Sequence, residues 1–242
     1  MTLPTADPTA AAVQAAVDAA GDPERAAVMA RFFKTGPGEY GEGDVFVGVT
    51  VPELRRIARE FRGIDPAQVR ALLESPVHEH RRIALTLLRT EFERAVDPRP
   101  WVQIYLDALR DGCVDNWDLV DASADSILGE WLRRQGDHHP LVEMAGHPDL
   151  WVRRVGIVGT FAFIRHDDPA PLLEIAPSVI DDRRDLIQKA FGWTLREIGK
   201  RIDERLLTDF LSENAARMGR TALSYAVERL TPEQRAHFRA LR

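Results

Sequence analysis

Apolar residues recur at steps of three and four along most of the 242-residue chain, the spacing that lines one face of an α-helix. The stretches "PELRRIAREF", "RRIALTLLRTEF", "WVQIYLDAL", "WVRRVGIVGTFAFI" and "LIQKAFGWTLREIGKRI" each carry it, so nearly all of the chain is predicted helical. Strand-like alternation is confined to "DVFVGVTV", Asp44 to Val51. That piece runs into Thr50-Val51-Pro52-Glu53, where Thr50 can cap the following helix and Glu53 holds the reciprocal capping-box position. The first twenty or so residues are Ala-rich with Pro and Asp interruptions, and they read as a frayed end leading into a helix.

The helices also recur in register. Aligning "RRIALTLL" (Arg81), "WDLVDASA" (Trp117), "RRVGIVGT" (Arg153), "QKAFGWTL" (Gln188) and "GRTALSYA" (Gly219) gives starts spaced 36, 36, 35 and 31 residues apart. One helix pair cannot bury its own apolar face, so neighbouring pairs stack, and the expected fold is an all-α helical-repeat solenoid with a concave surface. An irregular helical bundle is the alternative. The expected organisation is one domain over residues 1–242.

Charge alters this picture only when divided. The net charge of -6 weighs against a polyanionic partner. From Met1 to Leu150, however, 16 Lys/Arg face 25 Asp/Glu, and from Trp151 to Arg242, 16 face 13. A basic face on the C-terminal half is compatible with that split. The single cysteine, Cys113, excludes an internal disulfide. With no charged-then-apolar leader and no membrane-length apolar run, a reduced cytoplasmic setting is expected.

Several motifs lead nowhere. "GPGEYG", Gly36 to Gly41, matches a dinucleotide-binding pattern, but that cradle needs a strand before it and a helix directly after it. Here a helix precedes and "DVFVGV" follows, so a flexible loop is the better reading. His138-His139 and "RHDD" at Arg165 to Asp168 lack partner pairs at ligand-like spacing, and no metal or other cofactor is expected. Neither does any nucleophile carry a recognisable base signature.

The stretch "VDNWDLVDASADSILGEWL", Val114 to Leu132, is more informative. On a helical wheel with Trp117 at zero, Asp121 falls near about 40°, Asp125 near about 80° and Asp118 near about 100°. These angles scatter the acids away from any shared metal. Asp115 precedes the helix as a candidate N-cap. Val120, Ala124, Ile127, Leu128 and Trp131 form the apolar stripe, with Asp121 at its edge. A carboxylate there is partly desolvated and its pKa tends upward unless a cation or donors face it. The structural alternative is a rim acid paired with an arginine of the next helix. In the same register lie Arg153 and Arg154, then Trp193, Arg196 and Lys200. Stacked repeats set corresponding faces side by side, so Trp117, Asp121, Arg154 and Trp193 are predicted to line one concave wall.

With "DNWDLVD", "WVRRVGI" and "QKAFGWTLRE" in that order, and "MARFFKTGPGEYGEGDVFVGVTVPELRR" before them, most of the chain resembles the AlkD-like DNA glycosylases. These are bacterial alkylpurine-repair enzymes built from HEAT-like repeats. The resemblance implies a HEAT-like solenoid with a concave DNA-binding groove. It puts Asp121 on the family's catalytic aspartate, Trp117 and Trp193 on the tryptophans that contact the deoxyribose, and Arg154 on the catalytic-cleft arginine. It further implies DNA-binding roles for Phe32, Arg153, Lys189, Arg196 and Lys200, Arg196 and Lys200 falling on positions that contact the backbone. The sequence departs at Phe32, where some relatives have tyrosine, and in a longer glycine-rich loop from Gly36 to Gly43.

The implied chemistry suits these residues. A purine alkylated at N3 or N7 already carries positive charge and leaves as a neutral base without an acid catalyst. One carboxylate can then stabilise the sugar cation and position water, aromatic faces add cation attraction, and an arginine anchors phosphate. The implied partner is duplex DNA containing alkylated purines, acted on by a monomer without base flipping, and the open geometry extends to bulky natural-product adducts. A noncatalytic repeat scaffold binding DNA or protein is the competing class, because fold does not imply function.

Overall fold

The computed structural model describes residues 8–241. Its helices divide at Ser123 into two compact units. The first holds α1 (Ala10–Ala19), α2 (Pro23–Phe32), α3 (Val51–Ala58) with a 3₁₀ turn at Arg59–Phe61, α4 (Pro66–Leu73), α5 (His78–Arg94), α6 (Arg99–Arg110) and α7 (Trp117–Asp121). The second opens on a π-helical turn at Asp125–Gly129. It continues through α8 (Glu130–Gln135), α9 (His139–Ala145), α10 (Leu150–Gly159), α11 (Phe161–Ile164) and α12 (Ala170–Val179). α13 (Asp185–Arg201), α14 (Glu204–Asn214), α15 (Arg220–Ala226) and α16 (Pro232–Ala240) complete it. Among the described residues no helix is long and apolar enough to cross a membrane.

The helix starts follow local chemistry. Asp22, Asp65, Asp149 and Asp203 each sit at an N-cap with extended backbone, and their carboxylates accept from amides of the first turn. Those amides have no intrahelical partner, and Pro23 and Pro66 follow two of the caps where a missing N–H costs nothing. Thr50 does occupy an N-cap, but its hydroxyl makes no capping bond.

The all-α expectation holds, and the repeat register has a structural counterpart. Its starts fall on α5, α7, α10, α13 and at the head of α15. In the first unit α5 packs against α7; in the second α10 packs against α13, and α13 against α15. That serial packing buries the faces that single pairs leave open. The approach of α13 to α15 depends on Gly192: a Cβ there would lie 2.2 Å from the Ala222 carbonyl oxygen.

Two local expectations give way. Of the supposed frayed end, residues 1–7 lie outside the described residues, while Ala10–Ala19 is a packed helix capped by Thr9. Val13 and Val17, four apart, are fully buried where α1 meets α3, α4 and α5, and that burial fixes a segment whose composition suggested fraying. "DVFVGVTV" forms no strand among the described residues, only one parallel bridge between Val45 and Val77. Its amides have another acceptor. The buried Glu79 carboxylate takes those of Val47 at 3.1 Å, Gly48 at 2.7 Å and Val49 at 3.2 Å. Gly48 makes the turn possible, with φ at +85° and the Asp22 carbonyl oxygen 2.1 Å from where a Cβ would lie.

Candidate functional site

In the first unit the site is built around the head of α7. Asn116, not Asp115, is the N-cap, its side-chain oxygen accepting from the Trp117 amide at 2.8 Å. Its amide nitrogen meanwhile donates to Asp44 at 2.9 Å. Asp115 is drawn aside by Arg81, which bridges it to Asp44 through one guanidinium nitrogen to each carboxylate. Asp118 accepts from His78 Nε2 at 3.0 Å, and His78 Nδ1 donates to Asp44 at 2.9 Å. Three of the four residues in "DNWD" thus anchor α7, and only Trp117 is left to project.

Asp44 and His78 are the buried centre of this network, with side chains 4% and 2% exposed. Burial alone would lower the His78 pKa, but its hydrogen bonds to Asp118 and Asp44, and their charges, push it up to about 9. The geometry demands the same state, since both ring nitrogens face carboxylates and only the imidazolium donates from both. For Asp44, burial would raise the pKa, yet the His78 hydrogen bond, the charges of His78 and Arg81 and the Asn116 bond bring it below its ordinary value. With Arg82 Nε 3.7 Å from Asp118, three cations (His78, Arg81, Arg82) face three carboxylates (Asp44, Asp115, Asp118).

An aromatic column rests on this charged floor. His78 stacks on Phe46 at 4.5 Å, Phe46 on Phe33 at 4.9 Å and Phe33 on Trp117 at 5.2 Å. Phe32 lies edge-on to Trp117 at 6.0 Å and is 65% exposed, a costly placement for a large apolar ring in contact with water. Phe33, His78 and Asp44 were not legible as site residues. The signal that could have found them is the run of titratable residues "HEHRR" opening an otherwise core-forming helix.

Asp121 ends α7, one turn beyond Trp117, and is half-buried. The helix ends where the Ser123 amide bonds back three residues to the Val120 carbonyl in place of four, and the Ser123 hydroxyl donates to the Leu119 carbonyl at 2.6 Å. The unbroken helix expected after Asp115 is replaced by α7, a turn, the π-helical turn and α8.

The second unit carries the other candidates. Arg154 on α10 is 4% exposed and donates to the Leu186 carbonyl. Trp193 on α13 is half-buried against Phe161, ring centres 4.5 Å apart. The remaining cations have acidic or carbonyl neighbours. Arg153 donates to Asp182 at 2.9 Å and to the carbonyls of His147 and Gly146 at 2.9 and 3.1 Å, tying α10 to the end of α12. Lys189 lies 2.7 Å from Asp185, Arg196 pairs with Glu228, and Lys200 stands 3.5 Å from Glu197. Asp125, once a candidate for the acidic cluster, pairs with Arg165. His138 Nε2 donates to the Glu174 carboxylate at 2.7 Å.

Stacked helix pairs with a pinned Trp-Asp turn define a helical-repeat protein with an ordered aromatic and acidic site. The fold is similar to that of a solved structure described as a predicted DNA alkylation repair enzyme from Enterococcus faecalis. The two share 20% sequence identity and a TM-score of 0.70 over 88% of this chain and 97% of that one. No curated protein matches the chain significantly. A family model described as DNA alkylation repair enzyme matches residues 13–230, and the chain belongs to that family. Its members are repair enzymes for alkylated DNA, as the resemblance of "DNWDLVD" and its companions implied.

Proposed function

We propose that the protein is a monofunctional DNA glycosylase that hydrolyses the N-glycosidic bond of cationic N3- and N7-alkylpurines in duplex DNA. It works as a monomer at the nucleoid and leaves the base in the duplex, so that bulky adducts are also substrates. The observation that carries this reading is the pairing of Trp117 and Asp121 one turn apart on α7. That helix is held by a buried ionic network and an aromatic column rather than by its own five residues. Such support is what a preorganised electrostatic site needs.

In this mechanism the alkylated purine takes the glycosidic electron pair and departs neutral. Asp121 stabilises the positive charge left on the sugar and orients the water whose oxygen bonds to C1′, with the proton passing to solvent. Trp117 and Trp193 present ring faces to the sugar cation. Arg154, fixed by the Leu186 carbonyl, anchors a phosphate. Phe32 adds an apolar surface beside Trp117. Lys189 and Arg196 exchange the exposed Asp185 and Glu228 for backbone phosphates, an exchange made easy by the small worth of surface ion pairs, and Lys200 turns to a phosphate from its 3.5 Å contact with the buried Glu197. Arg153, whose guanidinium already holds Asp182 and two carbonyls, contributes by fixing the start of α10 beside Arg154.

The test is release of free base from a duplex carrying N7-methylguanine, comparing wild type with Asp121→Asn. Asparagine keeps the shape and removes the charge, so the single-turnover rate falls by about 10²–10³ while duplex affinity holds. Equal rates in the two proteins would make Asp121 structural and leave the noncatalytic scaffold as the better description.

A further inference from the structure

A cavity of about 490 Å3 opens between α15 and α16, lined by Arg220, Leu223, Ser224 and Arg239. Arg220, Leu223 and Ser224 are spaced to share one face of α15, because residues three and four apart are neighbours on a helix. Leu223 is buried as the floor. The two arginines and the serine are exposed around it. Among the described residues the lining offers two guanidinium groups and one hydroxyl, the donor set that suits a phosphate or phosphodiester.

These arginines differ from the other cations discussed. Lys189, Arg196 and Lys200 each stand beside an acid, whereas Arg220 and Arg239 have no ion pair or hydrogen bond among the described residues. Arg229 and Arg235 likewise lack ion pairs among the described residues, and the only acids from Gly219 to Leu241 are Glu228, already held by Arg196, and Glu233. The field at the cavity is therefore cationic in a chain of net charge -6.

The repeat register says what this field faces. Arg154 is the second residue of "RRVGIVGT", Lys189 of "QKAFGWTL" and Arg220 of "GRTALSYA". Their helices, α10, α13 and α15, pack in that order, and equivalent positions of stacked repeats fall on a common face. Arg220 thus continues the row begun by Arg154 and Lys189, and Ser224 stands where Trp193 stands one repeat earlier.

We propose that this cavity is a phosphodiester-binding site that extends the DNA track by one repeat, gripping the duplex backbone beyond the lesion. The inference rests on the glycosylase reading above. Arg220 and Arg239 each contact phosphate, and Ser224 donates a hydroxyl hydrogen bond. Because neither arginine must leave an acidic partner, each contributes a full phosphate contact.

The test is fluorescence anisotropy of a labelled undamaged duplex titrated with the full chain at several salt concentrations. Proteins compared are wild type, Arg220→Ala, Arg239→Ala, the double variant and the double lysine variant. Each lost contact lowers the log-log salt slope by about 0.9, so the double alanine variant loses about 1.8; between 50 and 200 mM salt its affinity then drops about 12-fold less than wild type does. The lysine variant keeps the wild-type slope, because a charge remains at each position. Thermal melts of all variants should overlay, since both side chains are exposed. An unchanged slope in the double alanine variant overturns the inference. So does wild-type binding of inorganic phosphate that both alanine substitutions abolish while the duplex slope stays the same, which would make this a site for a free anion. Wild type that binds duplex and releases N7-methylguanine, with a double variant of unaltered slope, defeats this proposal alone; wild type that binds no duplex defeats the glycosylase reading with it.

Discussion

Replacing His78 by glutamine removes the one cation on which the floor beneath Trp117 depends for both of its ring-facing carboxylates. The His78 pKa stands at about 9 against an ordinary 6.5, and a displacement of that size is worth about 3 kcal/mol at about 1.4 kcal/mol per unit. The side chain is 2% exposed, so solvent does little to reduce that figure. Because the folded value is the higher one, the stabilisation is fully present below pH 6.5 and is lost as pH rises towards and through 9. The groups that raise it are Asp118 from α7 and Asp44 from the loop before α3, carboxylates that Arg82 and Arg81 of α5 also face. Urea denaturation of wild type and His78→Gln across about pH 6 to 10 should therefore give a stability difference of about 3 kcal/mol that shrinks by about 1.4 kcal/mol per pH unit inside that window. Titrations elsewhere are common to both proteins and cancel in the difference. A domain of ordinary stability survives the substitution, since breaking a buried pair costs about 3–5 kcal/mol against a total of about 5–15 kcal/mol. Parallel stability curves for the two proteins would refute the assignment of His78 as a buried imidazolium.

Glu79→Ala should cost about 3 kcal/mol, because it strips a charged acceptor from the buried amides of Gly48 and Val49 and the part-buried amide of Val47; hydrogen exchange should quicken at Val47, Gly48 and Val49 while α13 remains protected. Gly192→Ala should destabilise by about 2 kcal/mol in spite of the helix propensity that alanine adds, since the new methyl meets the Ala222 backbone and neither helix can yield without repacking. Thermal denaturation decides it, and an unchanged melting temperature would mean that α13 and α15 have more play than their packing indicates.

Much of this was legible in the apolar pattern. Val120, Ala124, Ile127 and Leu128, assigned to a buried stripe, are all buried, and the repeat starts fall on helices that pack in series. The pattern failed where a distant partner decides the local structure. "DVFVGVTV" alternates like a strand, yet its amides go to a carboxylate some thirty residues away, which no local window contains. Asp115 is a reasonable cap by position, but Arg81 competes for it and leaves the task to Asn116. The break after Asp121 was invisible because nothing local marks it: Thr90 and Thr194 make the same hydroxyl-to-carbonyl bond as Ser123 inside helices that continue. The π-helical turn that follows then shifts the wheel by a residue, so Trp131, placed in the stripe, is only half-buried. In the site, Trp117 and Asp121 stood out as an aromatic and an acid one turn apart. The buried polar cluster behind them did not, because a run such as "HEHRR" reads as solvated surface unless its acidic partners are known.

Glu197 gives the proposed DNA contacts a further property. Its buried carboxylate is met by Arg201 at 2.8 Å and by Lys200 and Arg196 at 3.5 Å each, three cations converging on one anion. When Lys200 and Arg196 turn to a phosphate, Arg201 stays behind, and the carboxylate is never stranded without a counter-charge in its low-dielectric pocket. The two outer cations can therefore let go and return repeatedly, Lys200 breaking only a 3.5 Å contact and Arg196 exchanging its exposed partner Glu228. A protein that must inspect long tracts of undamaged duplex before meeting a lesion gains from such handholds, which grip briefly and release without disturbing the helices that carry them.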